Sequence, residues 1–308
     1  MVKRKSFWER LKRDFKMNKA IYIMLLPVLI YFIMYHYVPM LGLVTAFQDY
    51  KIKLGYFKSP FVGLKHFDRF FGSMYFVRLL ANTFAISLKD IFWSFPLTIT
   101  FALLLNEVGS KRFKSVIQTV TYLPYFISMI VVCGLVMDFT KAGGMISSLV
   151  GLFTGSSDSL LTNPNYFQSI FVWSGIWQGL GYGTIIYISA LAAINPELYE
   201  AAKIDGANRW KQTIHVTIPC LIPTIVVMLV LRIGSIMSVS YQKIILLYSP
   251  AVYEKADVIS SYVYRVGLQE GTEYSFSTAV GLFQSVVNLI LIVAANKISK
   301  KLTDSSLW

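Results

Sequence analysis

The sequence predicts an all-α, polytopic membrane protein with six transmembrane helices. Only 15% of its 308 residues are charged and 55% are hydrophobic, whereas a soluble globular chain is roughly a quarter charged. Six apolar segments, at residues 20–47, 82–105, 116–139, 167–194, 214–238 and 276–296, reach the about 20 residues that cross about 30 Å of hydrocarbon. Lysine and arginine concentrate in alternate connecting segments, as in a chain threaded back and forth through a bilayer.

The N-terminal segment, residues 1–19, carries Lys3, Arg4, Lys5, Arg10, Lys12, Arg13, Lys16 and Lys19. The apolar run that follows is too long for a signal-peptide core, so residues 20–47 are expected to stay as the first span. Basic residues recur at Lys111, Arg112 and Lys114, at Lys203, Arg209 and Lys211, and at Lys297, Lys300 and Lys301. These segments lie on the same side as the N-terminus. The opposite side is more sparsely basic and includes Lys51, Lys65, Arg69, Lys243 and Arg265 over much longer loops. The bias places both termini in the cytoplasm, with a six-helix domain at 20–296 and a short tail at 297–308. It also explains the net charge of +13 as orientation and headgroup binding. No nucleic-acid fold accompanies that charge.

Enzyme chemistry is missing. The chain has no GxxxxGK(S/T) phosphate loop, no HExxH and no GxSxG, so it is not expected to hydrolyse ATP. Cys133 and Cys220 fit small buried hydrophobes better than a disulfide or metal pair. His36, His66 and His215 fall in three separate regions and make no metal site. Acids near the spans are confined to Asp90 and Asp138, too few for the ion-coupling site of a stand-alone secondary transporter.

One stretch breaks the apolar pattern: NPELYEAAKIDGANRWKQTIHVTIP, residues 195–219. Asn195 suits a helix N-cap and Pro196 the first helical position. Glu197 sits where the helix dipole favours an acid. Leu198, Ala201 and Ala202 form an apolar stripe, and Gly206 permits the left-handed turn that ends a helix. Pro219 and Pro223 bend the start of the next span. The polar face mixes both charge signs, unlike a lipid-binding face, so this short rigid knob reads as a docking element.

Glu200-Ala201-Ala202, Asp205-Gly206-Ala207 and Ile218-Pro219 resemble the EAA motif of binding-protein-dependent ABC importer permeases. Residues 25–51, 59–71 and 256–268 are similar to the carbohydrate branch, closest to its LplB-like polysaccharide and oligosaccharide group. The resemblance implies a type I importer permease of MetI-like architecture. It also implies a second homologous permease, an ATPase dimer that holds ATP and Mg, and an extracytoplasmic binding protein, with no cofactor on this chain. Glu200, Ala201, Ala202, Asp205, Gly206 and Ala207 would form the coupling helix seated on the ATPase. An ABC permease for a non-sugar solute is the alternative.

Candidates for the solute pathway follow from sugar chemistry, which pairs aromatic faces with hydroxyl-binding amides and charges. Trp173, Trp177, Gln178 and Tyr182 lie in the glycine-rich fourth span, where aromatic anchoring and ordinary packing are the competing account. Arg232, inside the fifth span, costs about 2.5–3.5 kcal/mol on insertion scales. It either faces a polar interior, snorkels to headgroups or makes a structural pair. Ser235 and Tyr241 complete the set. Lys89 and Asp90 pair with neighbours or face a cavity, and the tyrosine-rich segment 241–274 is expected to be folded, either capping the cavity or touching a binding protein that delivers the solute.

Overall fold

The computed structural model describes residues 7–269, 271, 273–303, 306 and 307. Lys3, Arg4 and Lys5 of the basic segment lie outside the described residues. Among the described residues the chain is helical, and extended pairing is confined to one antiparallel bridge, Gln48 to Phe61.

Helix α1 (Phe7–Met17) leads into α2, the first span, Lys19–Phe47. Asp14 clasps the two, accepting from Asn18 Nδ2 and Tyr22 Oη at 2.7 Å each. Within α2 the helix widens to a π turn at Ile33–Tyr37, just where Pro39 lacks the N–H that Tyr35 would otherwise bind. None of the most apolar window of α2 is buried by the rest of the chain. That face requires lipid or another subunit.

The second span is α3 (Phe76–Glu107). The predicted third span, 116–139, is not continuous. It divides into α4 (Lys111–Tyr122) and α5 (Met129–Thr140) around a 3₁₀ turn at Leu123–Phe126. Pro124 cannot continue the ladder, Ile127 turns extended, and Ser128 caps α5 by accepting from Val131 N. With α6 (Met145–Thr154), the apolar stretch here runs Met129–Thr154, shifted toward the C-terminus.

Helix α7 (Pro164–Ala192) follows, then α8 (Pro196–Ile204) and α9 (Arg209–Gly234). The fifth span thus stops at Gly234, four residues before its predicted end. The short helices α10 (Tyr241–Leu247) and α11 (Ile259–Tyr264) precede the last span, α12 (Tyr274–Thr303). Among the described residues, five helices are long and apolar enough to cross a membrane. The remaining long helix, α7, has 29 residues and no Asp, Glu, Lys or Arg. Its glycines and polar residues lower its hydropathy because one face borders a cavity.

Packing organises two cores around α3. Ile86 meets Phe167, Phe171 and Val172 of α7 and Ile244 of α10. Leu79 meets Phe70, Met237, Ile259 and Phe276. Helix α7 also lies hard against α4 through Gly181, where an added Cβ would stand 2.2 Å from the Thr121 carbonyl oxygen. Cys133 is buried as expected, but Cys220 is exposed on the outer face of α9.

Within the segment 241–274, residues 241–269 are folded. Its anchor is Asp257, fully buried, which accepts from Arg265 Nη1 at 3.2 Å and Ser261 Oγ at 2.7 Å. Such satisfaction is what a buried carboxylate requires. Arg265 lies over the Tyr253 ring, 4.7 Å from its centroid, and Tyr253 packs on Tyr248 at 4.7 Å.

Candidate functional site

Two features stand out, a capped loop at one end of the spans and a polar cavity among them. The loop begins at α8, where the Asn195 side chain accepts from Glu197 N at 3.1 Å and Pro196 opens the helix. It ends in a double bond pattern. Gly206 N donates to Lys203 O at 3.0 Å and Ala207 N donates to Ala202 O at 2.9 Å. Gly206 stands at φ +76°. This is a Schellman motif, which closes a helix through one left-handed residue and satisfies its last carbonyls.

The residues of the EAA-xx-DGA pattern therefore have structural work to do before any partner arrives. Asp205 caps α8, Gly206 makes the turn and Ala207 closes it, while Glu200 and Ala201 lie on the last turns of α8. Two residues outside the sequence-based set hold the knob to the spans. Tyr199 Oη lies 3.1 Å from Thr217 Oγ1, and Gln212 Nε2 donates to Ala207 O at 2.7 Å. Arg209 Nη1 reaches Glu107 Oε2 at 3.8 Å, which sets the loop beside the end of α3. The knob leaves Leu198, Ile204 and Trp210 exposed.

The cavity has a volume of about 350 Å³ and is walled by α3, α7, α9 and α10. On α7, Gly175, Gly179 and Gly183 recur every four residues and form one wall. A Cβ at Gly179 would meet nothing within 4 Å, whereas at Gly175 and Gly183 it would press on Lys243 Nζ at 3.2 Å and Thr98 Cγ2 at 3.1 Å. Gln178, Arg232 and Ser235 line the cavity. Gln178 Nε2 donates to Ile127 O at the α4–α5 break over a long 3.5 Å.

Trp177, Tyr182 and Tyr241 do not line this cavity. Trp177 lies two residues from both Gly175 and Gly179, on the opposite side of α7. Trp173, also predicted in this strip, packs on Trp93 at 5.6 Å. Tyr182 stacks on Tyr125 with centroids 3.8 Å apart and planes 3° apart. Tyr241 stacks on Tyr264 at 5.1 Å. The sequence shows that these rings share a segment but not which neighbours take them.

Arg232 both faces the cavity and makes a pair, its Nη1 donating to Asp90 Oδ2 at 3.1 Å. Lys89 turns away and donates to Gln168 Oε1 at 2.8 Å. Lys243, which the sequence places in an exposed connecting loop, is instead 4% exposed and part of the cavity wall. Ser240 caps α10 and the helix folds back between the spans, carrying Lys243 inward. Nothing in the local sequence signals that return.

Between Gly234 and Tyr241 the backbone is unwound, and unpaired peptide groups there are costly at membrane depth. Side chains of α12 take them over. Asn288 Oδ1 accepts from Met237 N at 3.0 Å, and Gln284 Nε2 donates to Met237 O at 2.7 Å. Gln284 and Asn288, one turn apart in an apolar helix, were the available sequence signal. Replacing Asn288 with Leu is expected to destabilise the protein by about 1–3 kcal/mol, because a buried N–H loses its acceptor. A lowered melting temperature in detergent checks it.

Comparison with known proteins settles the family. Residues 94–304 match the binding-protein-dependent transport system inner membrane component family. The chain belongs to that family. This permease is 41% identical to the polygalacturonan/rhamnogalacturonan transport system permease protein YteP of Bacillus subtilis, over 94% of this chain and 91% of the relative. It is also 41% identical to protein LplB of the same organism, over 98% and 94%. Among solved structures it resembles a chain of the bacterial alginate ABC transporter in complex with alginate pentasaccharide-bound periplasmic protein. There the identity is 40%, the TM-score 0.87, and the match covers 98% of this permease and 100% of that chain. The permease is a membrane-embedded transport subunit of an ABC importer and not an enzyme.

Proposed function

We propose that this permease passes oligosaccharides or polysaccharide fragments through the cavity walled by α3, α7, α9 and α10. The observation that carries the reading is a space of about 350 Å³ inside an apolar bundle, lined by the Gln178 amide, the Ser235 hydroxyl and the Arg232 guanidinium. Such donors and acceptors suit sugar hydroxyls. The names of the two most informative relatives, which concern polygalacturonan, rhamnogalacturonan and alginate transport, support a carbohydrate solute.

In this reading a second, homologous permease completes the pathway and covers the open face of α2. The basic clusters put both termini and the α8 loop in the cytoplasm. There Glu200, Ala201, Ala202, Asp205, Gly206 and Ala207 form the coupling element, one on each permease, engaged by an ATPase dimer. ATP and Mg belong to that dimer, and this chain binds no cofactor. A binding protein delivers the sugar from outside. ATP-driven closure turns the cavity outward and hydrolysis resets it, so solute access alternates between two states.

Purification of the permease from its native membrane in mild detergent tests this directly. A second permease and an ATPase are expected to co-purify, and the reconstituted assembly to accumulate a labelled oligosaccharide only with ATP. A lone chain that transports without ATP would overturn the proposal.

A further inference from the structure

The cavity wall carries an unequal set of charges, and the surplus sits on Lys243. Asp90 on α3 is the lining carboxylate, and Arg232 on α9 already holds it at 3.1 Å. Lys243 Nζ donates to Phe171 O at 2.8 Å and lies 4.6 Å from the Phe171 ring centroid. Among the described residues no carboxylate pairs with it. Opposite Lys243 stands Gly175, whose absent Cβ would be 3.2 Å from Nζ. A larger residue would press on the ammonium at that point.

A buried ammonium with one carbonyl and one ring is poorly compensated, since the charge lost from water needs an opposite charge close by. Asp90 cannot serve both cations fully. The lining therefore holds two positive groups against one negative, in a space open to solute.

We propose that Lys243 is the specificity-determining residue of this permease, reading a carboxylate on the sugar. This rests on the oligosaccharide reading given above and narrows it to uronate-bearing chains. The carboxylate of one sugar unit supplies the missing negative charge in a short, charge-assisted hydrogen bond. Gln178 and Ser235 take hydroxyls of the same or the next unit. A neutral sugar of equal shape leaves Lys243 as it was and gains nothing from it.

The experiment uses the complete importer in proteoliposomes with one unchanged binding protein, so a change in preference between variants belongs to the permease. The probes are a short oligouronate and its fully methyl-esterified, uncharged counterpart. Lys243→Met is expected to lower the acid-to-ester uptake ratio roughly ten- to hundredfold, the worth of a hydrogen bond to a charged group. Lys243→Arg should keep most of the preference. An unchanged ratio in Lys243→Met, with wild type carrying the acid, overturns the assignment and leaves the sugar reading standing. Wild type that carries neither probe nor any other oligosaccharide overturns the sugar reading itself, and this inference with it. Asp90→Asn provides a second arm that does not depend on Lys243→Met assembling. Freeing Arg232 should raise the acid-to-ester ratio, and a ratio that stays flat or falls overturns the charge-count argument.

Discussion

Gly181→Ala is expected to prevent stable assembly of the helix bundle, although it adds a single methyl group. The new Cβ would lie 2.2 Å from the Thr121 carbonyl oxygen and 2.5 Å from its carbon. Both atoms are backbone, so no side chain can rotate away. Helices α7 and α4 would have to separate, and the stacked pair Tyr125–Tyr182 straddles the same contact. Overpacking of a well-filled interior usually costs about 1–3 kcal/mol, and this site belongs at the top of that range or above it. Two neighbours serve as controls. At Gly179 a Cβ meets nothing within 4 Å, so Gly179→Ala should gain up to about 1 kcal/mol from helix propensity. At Gly234 the Cβ would meet Ile292 side-chain atoms at 2.7–2.9 Å, which can shift at moderate cost. The yield of monodisperse protein and its melting temperature in detergent should rank Gly179→Ala above Gly234→Ala above Gly181→Ala. Equal stability of the Gly181 and Gly179 variants would show that α4 and α7 do not meet at this point.

The second large effect is expected at Gly206. Its surroundings are empty, with nothing within 4 Å of an added Cβ, yet its φ is +76°. A substitution there meets no clash with neighbours and suffers only from backbone strain, of order 1–3 kcal/mol for an ordinary residue. A β-branched side chain is the worst case. Gly206→Val should therefore open the Schellman turn, break the Ala207–Ala202 bond and shift the knob away from its docking shape. At about 1.4 kcal/mol per tenfold, the docking-competent fraction falls roughly five- to hundredfold. ATP-driven uptake should fall in proportion while the permease remains inserted. Gly206→Asn, which tolerates the left-handed region, should retain most of the activity. Uptake by Gly206→Val equal to wild type would remove the turn from the coupling mechanism.

How much of this was legible beforehand follows from the range of each interaction. The first span, the long helices and the α8 knob are written in local signals. Apolar length, an Asn-Pro cap and a glycine after the last helical residue act within a few residues of each other, so the sequence contains them whole. Charge bias on the loops gave the expected orientation, and the missing phosphate loop together with the scarcity of intramembrane acids pointed to a chain without its own energy source. The EAA-xx-DGA pattern carried the family, and its residues turn out to be those of a helix-ending turn.

The cavity was not legible in the same way. Arg232 was conspicuous because a charge within an apolar run is costly wherever it points. Its partner Asp90 lies 142 residues away, and only the packing of both α3 and α9 against α7 brings them together. The break at Pro124 divided a span that hydropathy alone drew as continuous, because the average over a window is blind to one missing N–H. Trp177, Tyr182 and Lys243 show the same limit from the other side. Composition placed the two aromatics with the pathway and the lysine in a loop. Helix phase then turned Trp177 away, Tyr125 took the Tyr182 ring, and the return of α10 buried Lys243 beside Phe171. By itself the sequence determined the membrane class, most of the long apolar helices and the capped α8 loop, since hydrophobicity and capping are local. Only the tertiary structure decided which polar groups share the cavity, because that depends on helix rotation and on contacts between residues far apart in the chain.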